Sequence, residues 1–228
     1  MNKTFTMNNY IDICFFSIYK EKLCLLLTKR KNDPYKDTWA LAGGIWENTL
    51  NPDEAASNLM LRKTGLTGIY LEQLKTYGGI GRDPRGASCS VAYIGLVNYD
   101  KLNKKIINSD KEELKWFPIE DIPRLAFDHN SIVLDANERI INKIRYTKVG
   151  FELVGNEFTI KELVDTFEKI TSNKIDKSNL RKKLTEQLNI IEEVSTSKHE
   201  QKGRGRKSLV YKLNELNFKK MNINESFF

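Results

Sequence analysis

The sequence predicts an α+β protein built in two parts, and three observations predict it. Runs of strand-forming residues dominate the first half of the 228-residue chain. A helical stretch with its own start and stop residues interrupts those runs. After Lys148-Val149-Gly150 the pattern changes to helix, helix, strand, polar loop, strand.

The elements follow in order. "YIDICFFSIY" (Tyr10 to Tyr19) and "KLCLLLTKR" (Lys22 to Arg30) read as strands, and the Lys20-Glu21 link between them reads as a hairpin turn. Gly43-Gly44 marks a loop. Pro52 then opens a helix, at a position where its missing N–H costs nothing. Ala55, Ala56, Leu59, Met60 and Lys63 keep helical spacing, and Gly65 closes it. "GIYLEQLKTY", "SCSVAYIGLVNY" and "EELKWFPI" read as further strands. From Asn130 to Tyr146, Ile132, Ala136, Ile140 and Ile144 recur on one helix face.

The second part starts near residue 150, giving expected domains of 1–149 and 150–228. Thr159 with Glu162 forms a capping box ahead of an apolar stripe of Ile160, Leu163, Val164, Phe167 and Ile170. "DKSNLRKKLTEQLNI" makes the next helix, capped by Asp176, with Leu180, Leu184 and Leu188 facing inward. "NIIEEV" and "SLVYKL" are strands joined by "STSKHEQKGRGRK". This is the element order of a winged helix-turn-helix. With the leucines buried, the opposite face of the second helix carries Ser178, Asn179 and Lys182. Lys177, Arg181 and Lys183 flank it, and the loop adds Arg204, Arg206 and Lys207. Such a helix fits a major groove, with Asn179 placed to read a base edge and the cations to neutralise phosphates. The loop arginines suit a narrow minor groove. Two basic clusters at these two positions point to double-stranded DNA. The plainer alternative for either cluster alone is a solvated face.

Composition narrows the class. The formal net charge is +7, which suits a polyanionic partner. Cys14, Cys24 and Cys89 form no CxxC pair, so neither a disulfide framework nor a structural zinc site is expected. Reduced thiols and the lack of an apolar run of membrane-spanning length suggest a cytoplasmic protein with no membrane association.

The stretch "GGIWENTLNPDEAASNLMLRKTGL" (Gly43 to Leu66) resembles a Nudix box, the loop–helix motif that holds magnesium against a pyrophosphate. With the closing Gly on Gly65, the opening Gly falls on Gly44 and the spacing is kept throughout. The metal-binding carboxylate slots, however, hold Leu59, Arg62 and Lys63. The motif's arginine slot holds Asn58 and its first glutamate slot holds Leu50. Leucine cannot ligate magnesium, and Arg62 and Lys63 repel it. Glu47, Asp53 and Glu54 do not recreate the spacing. Hydrolysis, a bound metal and a cofactor are therefore not expected. Arg62 and Lys63 are candidates for holding an anionic ligand in the metal's stead; a solvated helix face is the plainer reading.

Further pieces narrow the resemblance. "RDPRG" (Arg82 to Gly86), "LAFDHNSIVLDANERI" (Leu125 to Ile140), "FTIKELVDTFEKI", "DKSNLRKKL" and "GRGRKSLVYKLN" occur in one order. Together they resemble the Nudix-related transcriptional regulators, the NrtR family, over most of the chain. The resemblance implies a Nudix-type α/β/α sandwich with a mixed sheet, followed by a winged helix-turn-helix. It also implies a homodimeric regulator, in habit a repressor, that holds operator DNA, senses ADP-ribose or a related metabolite, and controls NAD metabolism. Arg82, Asp83, Arg85 and His129 join Arg62 and Lys63 as candidate effector contacts. Related regulators sense sugars such as L-arabinose, and that alternative stays open. So does a divergent Nudix pyrophosphohydrolase, and a module whose basic tail docks RNA or an acidic protein.

Overall fold

The computed structural model describes residues 7–47, 49–65, 67–102, 113–196, 208–221 and 225–228. The chain divides into two compact units, Met1–Arg139 and Ile140–Phe228. The division falls inside a long helix, ahead of the boundary the sequence suggests at 149/150.

The N-terminal unit is built on a mixed sheet of β1 (Asn8–Tyr19), β2 (Lys22–Lys29), β3 (Trp39–Ile45), β4 (Tyr70–Gly79), β5 (Ser88–Leu96) and β6 (Leu114–Pro118). Among the described residues the strand order is β4-β5-β1-β3-β2-β6. Among the described residues only β1 and β5 pair in parallel, with Asp12 opposite Ala92. The β1–β2 hairpin closes as expected through Lys20 and Glu21, both at positive φ. That backbone matches the twist of the flanking strands.

Helix α1 (Pro52–Thr64) is delimited by its own sequence. Asn51 accepts from the Glu54 N–H while the Glu54 carboxylate accepts from the Asn51 N–H, and Gly65 ends the helix at φ 72 with its N–H on the Leu61 carbonyl. Ala55, Ala56, Leu59 and Met60 bury one helix face against Ile11, Ile13, Phe15, Ala42 and Tyr93. Strand residues alternate between faces, so Tyr10, Asp12, Leu41 and Gly43 belong to the opposite side of the sheet. That side is covered by α2 (His129–Lys143). Tyr77 donates to Asp135 at 2.6 Å and Arg139 to Glu72 at 3.1 Å, tying β4 to α2. The result is the α/β/α sandwich expected from the resemblance.

The C-terminal unit carries α3 (Val149–Val154), β7 (Glu157–Phe158), α4 (Ile160–Thr171), α5 (Lys177–Lys182), β8 (Ile191–Thr196), β9 (Leu209–Leu213) and α6 (Glu215–Lys220). The strands form a small sheet, β7-β9-β8. The capping box of Thr159 and Glu162 is present, and Asp176 caps α5 through the Asn179 N–H. The second helix departs from the expected regular run. After Lys182 it widens into a π turn over Lys183–Gln187, with the Leu188 N–H reaching the Lys183 carbonyl at 2.9 Å. The wider turn shifts the helical phase, so Leu188 is only half-buried and Ile190 takes the inner position that a straight helix gives Leu188. The core around these helices is aromatic: Phe151, Phe158, Phe167, Phe218 and Phe227 pack ring against ring.

Candidate functional site

A cavity of about 180 Å³ opens on the α2 side of the sheet. It is lined by Tyr10 and Asp12 of β1, by Thr28 and Arg30 at the end of β2, and by Ala40, Leu41, Gly43, Gly44 and Ile45 of β3. Arg82, Asp83 and Arg85 from the loop before β5 complete it, with Phe127 and His129 at the start of α2. Its volume is below the ~300 Å³ of a drug-sized site.

The sheet explains why these residues meet. Asp12 and Gly43 face each other across the β1–β3 ladder. A methyl on Gly43 would stand 2.2 Å from the Asp12 Oδ1, so glycine is what lets this carboxylate lie against β3. Ser90 donates to Asp12 from the parallel strand β5. Arg82 enters from its loop and forks onto Asp128, with Nε on Oδ2 at 2.9 Å and Nη2 on Oδ1 at 2.8 Å. Its Nη1 reaches the Ser88 hydroxyl at 3.3 Å, and Asp12 lies 4.0 Å away. Burial alone would lower the Arg82 pKa, but the Asp128 hydrogen bonds outweigh it and hold it up. Asp83 is buried and saturated by Arg85, which donates through its backbone N–H, Nε and Nη2. Those Arg85 hydrogen bonds keep the Asp83 carboxyl below its ordinary range.

His129 is buried, and its Nδ1 accepts the Leu41 N–H at 3.0 Å. The ring proton of the neutral form therefore sits on Nε2, which faces Asp12 Oδ2 at 3.7 Å. Burial pushes its pKa down, against the pull of Asp12 and Asp128. A histidine depressed in the fold binds its proton more readily when unfolded. Its contribution is then complete above the ordinary value of 6.5 and is lost as pH falls below it. Thermal melts should show the N-terminal unit weakening as pH falls below about 6.5. H129N, which keeps an acceptor for the Leu41 N–H, should reduce that loss; an undiminished loss would place the acid sensitivity in the carboxylates.

Of the expected effector contacts, Arg82, Asp83, Arg85 and His129 are thus brought together. Arg62 and Lys63 are not. They occupy the last turn of α1, Arg62 exposed and Lys63 half-buried, and neither lines the cavity. Tyr10, Asp12, Leu41 and Gly43 of the lining lie on the face of the sheet that α1 does not cover. Cations in that last turn complement the helix dipole. Leu59, in the first carboxylate slot of the box, is buried in the core. Sequence reasoning missed Asp12, Arg30 and Phe127. An acid inside the apolar run "YIDICFFSIY" was the available signal for Asp12.

On the C-terminal unit, Lys177, Ser178, Asn179, Arg181 and Lys182 are all exposed on α5, and Lys183 is half-buried at the π turn. The Arg181 Nε donates to the Tyr211 hydroxyl of β9 at 3.3 Å, which orients that guanidinium. Arg204, Arg206 and Lys207 lie outside the described residues.

Known proteins share both halves. The NrtR DNA-binding winged helix domain matches residues 150–213, and the NUDIX domain matches 11–136. The chain is 35% identical over 192 residues to the ADPR responsive transcriptional repressor NtrR of Acinetobacter baylyi, covering 82% of this chain and 76% of that one. It is 36% identical over 111 residues to an ADP-ribose pyrophosphatase of Methanocaldococcus jannaschii, covering 49% of this chain and 64% of that protein. Shewanella oneidensis NrtR, solved with a 27mer DNA, superposes with a TM-score of 0.81 at 30% identity, over 92% of this chain and 95% of that one. Its NUDIX domain, solved with ADP ribose, superposes with a TM-score of 0.53 at 30% identity, over 60% of this chain and 90% of that one. On two domain matches in order and a relative this similar over most of both lengths, the chain belongs to the NrtR family of Nudix-related transcriptional regulators.

Proposed function

We propose that this protein is a transcriptional repressor whose Nudix-type domain, residues 1–149, senses ADP-ribose and whose winged helix, residues 150–228, holds operator DNA. It acts as a cytoplasmic homodimer on genes of NAD metabolism. One observation carries this reading: the arginine-rich cavity is kept on a Nudix-type fold whose carboxylate slots hold Leu59, Arg62 and Lys63, with Leu59 committed to the core. A fold that carries a cationic cavity but gives up its metal-ligand carboxylates suits recognition rather than turnover. The repressor of A. baylyi and the two S. oneidensis NrtR complexes support the pairing of ADP-ribose with DNA.

The archaeal pyrophosphatase favours a second reading, a divergent hydrolase, over the Nudix-type half of the chain. Magnesium-dependent turnover of ADP-ribose separates the two, since the proposed regulator gives none. The direct test is fluorescence anisotropy with a duplex from upstream of the gene and random competitor present. Competitor-resistant binding released by ADP-ribose is the expected result. Release requires that the ligand prefer a state of the protein that holds DNA less well. Binding that no ligand disturbs, or that only L-arabinose releases, would overturn the effector assignment.

The exposed face of α5 gives a graded expectation. Lys182→Ala, losing a phosphate contact, should weaken binding to every duplex similarly and lower the salt dependence by about one ion. Asn179→Ala should instead cost about 1–3 kcal/mol on the operator only. Equal losses on operator and random duplex would remove Asn179 from base reading.

A further inference from the structure

The cavity's arginines are not equivalent. Arg82 has all three guanidinium nitrogens engaged by Asp128 and Ser88, and its side chain is 10% exposed. Three of its five N–H donors are so spent, and the fork toward Asp128 is fixed. Arg85 is committed to Asp83 on one edge, but its side chain is 44% exposed. Arg30 differs from both. Its Nε donates to the Pro34 carbonyl at 2.8 Å and its Nη2 to the Asn32 carbonyl at 3.3 Å, so its hydrogen bonds go to neutral acceptors. Among the described residues it makes no ion pair. Its guanidinium lies 4.7 Å from the centre of the Phe127 ring, and that of Arg85 lies 5.6 Å from the same ring. Phe127 holds this place at φ 55, an unusual backbone for an aromatic residue, and Tyr35 braces it edge-on at 4.9 Å.

Two guanidinium groups gathered at one ring repel each other; Arg85 is paired directly with Asp83, while Arg30 feels Asp83 and Asp12 without an ion pair to either. Burial and the neighbouring Arg85 both work against charge on Arg30. An anion with oxygens on two linked centres would relieve the repulsion and accept from both forks. We infer that Arg30 and Arg85, gathered at the Phe127 ring, hold the diphosphate of the effector, while Arg82 serves first to clamp Asp128 and Ser88 and so shape the cavity. This deepens the proposed function and rests on it. It also moves the anion contact from the expected Arg82 to Arg30.

Calorimetric titration of the full chain tests it with ADP-ribose, ADP, inorganic pyrophosphate, adenosine and L-arabinose. R30Q should weaken ADP-ribose and ADP about tenfold to a hundredfold, as expected for losing a charged hydrogen-bonding partner. Adenosine should bind wild type and variant alike, and R30K should fall between because it keeps the charge and loses the fork. R85Q, at a more exposed position, should repeat the loss and serves if R30Q does not fold. ADP-ribose affinity unchanged in R30Q and R85Q overturns the inference while leaving the proposed function intact. Wild-type protein that ignores ADP-ribose but binds pyrophosphate, with the loss in R30Q, keeps the anion site and removes the ADP-ribose reading. Wild-type binding to L-arabinose alone, a neutral ligand, overturns both.

Discussion

Arg82→Ala is expected to lower the stability of the N-terminal unit by about 3 kcal/mol, because it strands charge that the fold has already taken from water. The guanidinium joins Asp128, which is 27% exposed, and lies beside Asp12, which is 8% exposed. Removing it leaves Asp12 with Ser90 and with a neutral histidine 3.7 Å away. Residual solvent at Asp128 puts the figure at the lower end for a buried pair rather than the upper. Urea unfolding of the full chain, followed by the tryptophan signal, reports this unit, since Trp39, Trp46 and Trp116 all lie in it. The double variant Arg82→Met with Asp128→Leu should recover most of the loss, because apolar replacement removes the stranded charge along with the pair. A double variant as unstable as Arg82→Ala would mean that the arginine acts through Asp12 or Ser88 instead.

This clamp also shows where sequence reading stops. The strands were legible because uninterrupted apolar runs such as "KLCLLL" have no alternative to a buried sheet. Helix α1 was legible because Pro52 and Gly65 bound it and four small or apolar residues define its inner face. The capping box of Thr159 and Glu162 was equally local. The cavity is not local. His129 meets Leu41 across 88 positions and Arg82 meets Asp128 across 46. The loop "RDPRG" announced cations, and Arg85 pairs within it, but the pairing of Arg82 depends on Asp128, and Asp128 depends on where α2 begins. Arg30 reads in sequence as the polar end of a strand, and only the fold brings it to Phe127 at the cavity. Arg62 and Lys63 mark the reverse case. Motif arithmetic placed them in ligand slots, but the cavity opens on the other side of the sheet. The π turn after Lys182 was likewise invisible, since "KLTEQL" has ordinary helical residues and the widening is seen only in the bond from Leu188 to Lys183.

Gly150→Val is expected to disable the C-terminal unit while sparing the N-terminal one. Glycine is a poor helix residue, worse than alanine by about 1 kcal/mol, yet it sits in α3. Space accounts for it. A Cβ at this position would lie 2.0 Å from Cε1 of Phe167, far inside van der Waals contact. Phe167 has nowhere to go: it is fully buried, with Phe151, Phe227 and Phe228 around it at ring separations of 6.2, 6.3 and 5.4 Å. Pushing its ring displaces α4, against which α5 must rest to present Asn179 and Lys182. Overpacking of this kind costs about 3 kcal/mol or more, a large share of what a small unit has to spare. Hydrogen exchange of the full chain should lose protection in peptides from 149–171 and keep it in those from 8–45. Operator binding should fall, while ADP-ribose affinity should stay within about twofold of wild type, a change of only about 0.4 kcal/mol. Gly150→Ala should show the same pattern more weakly, since the single methyl meets the ring but recovers helix propensity. Normal protection in both variants would mean that the aromatic core repacks freely, and would free Gly150 from any role in setting the reading helix.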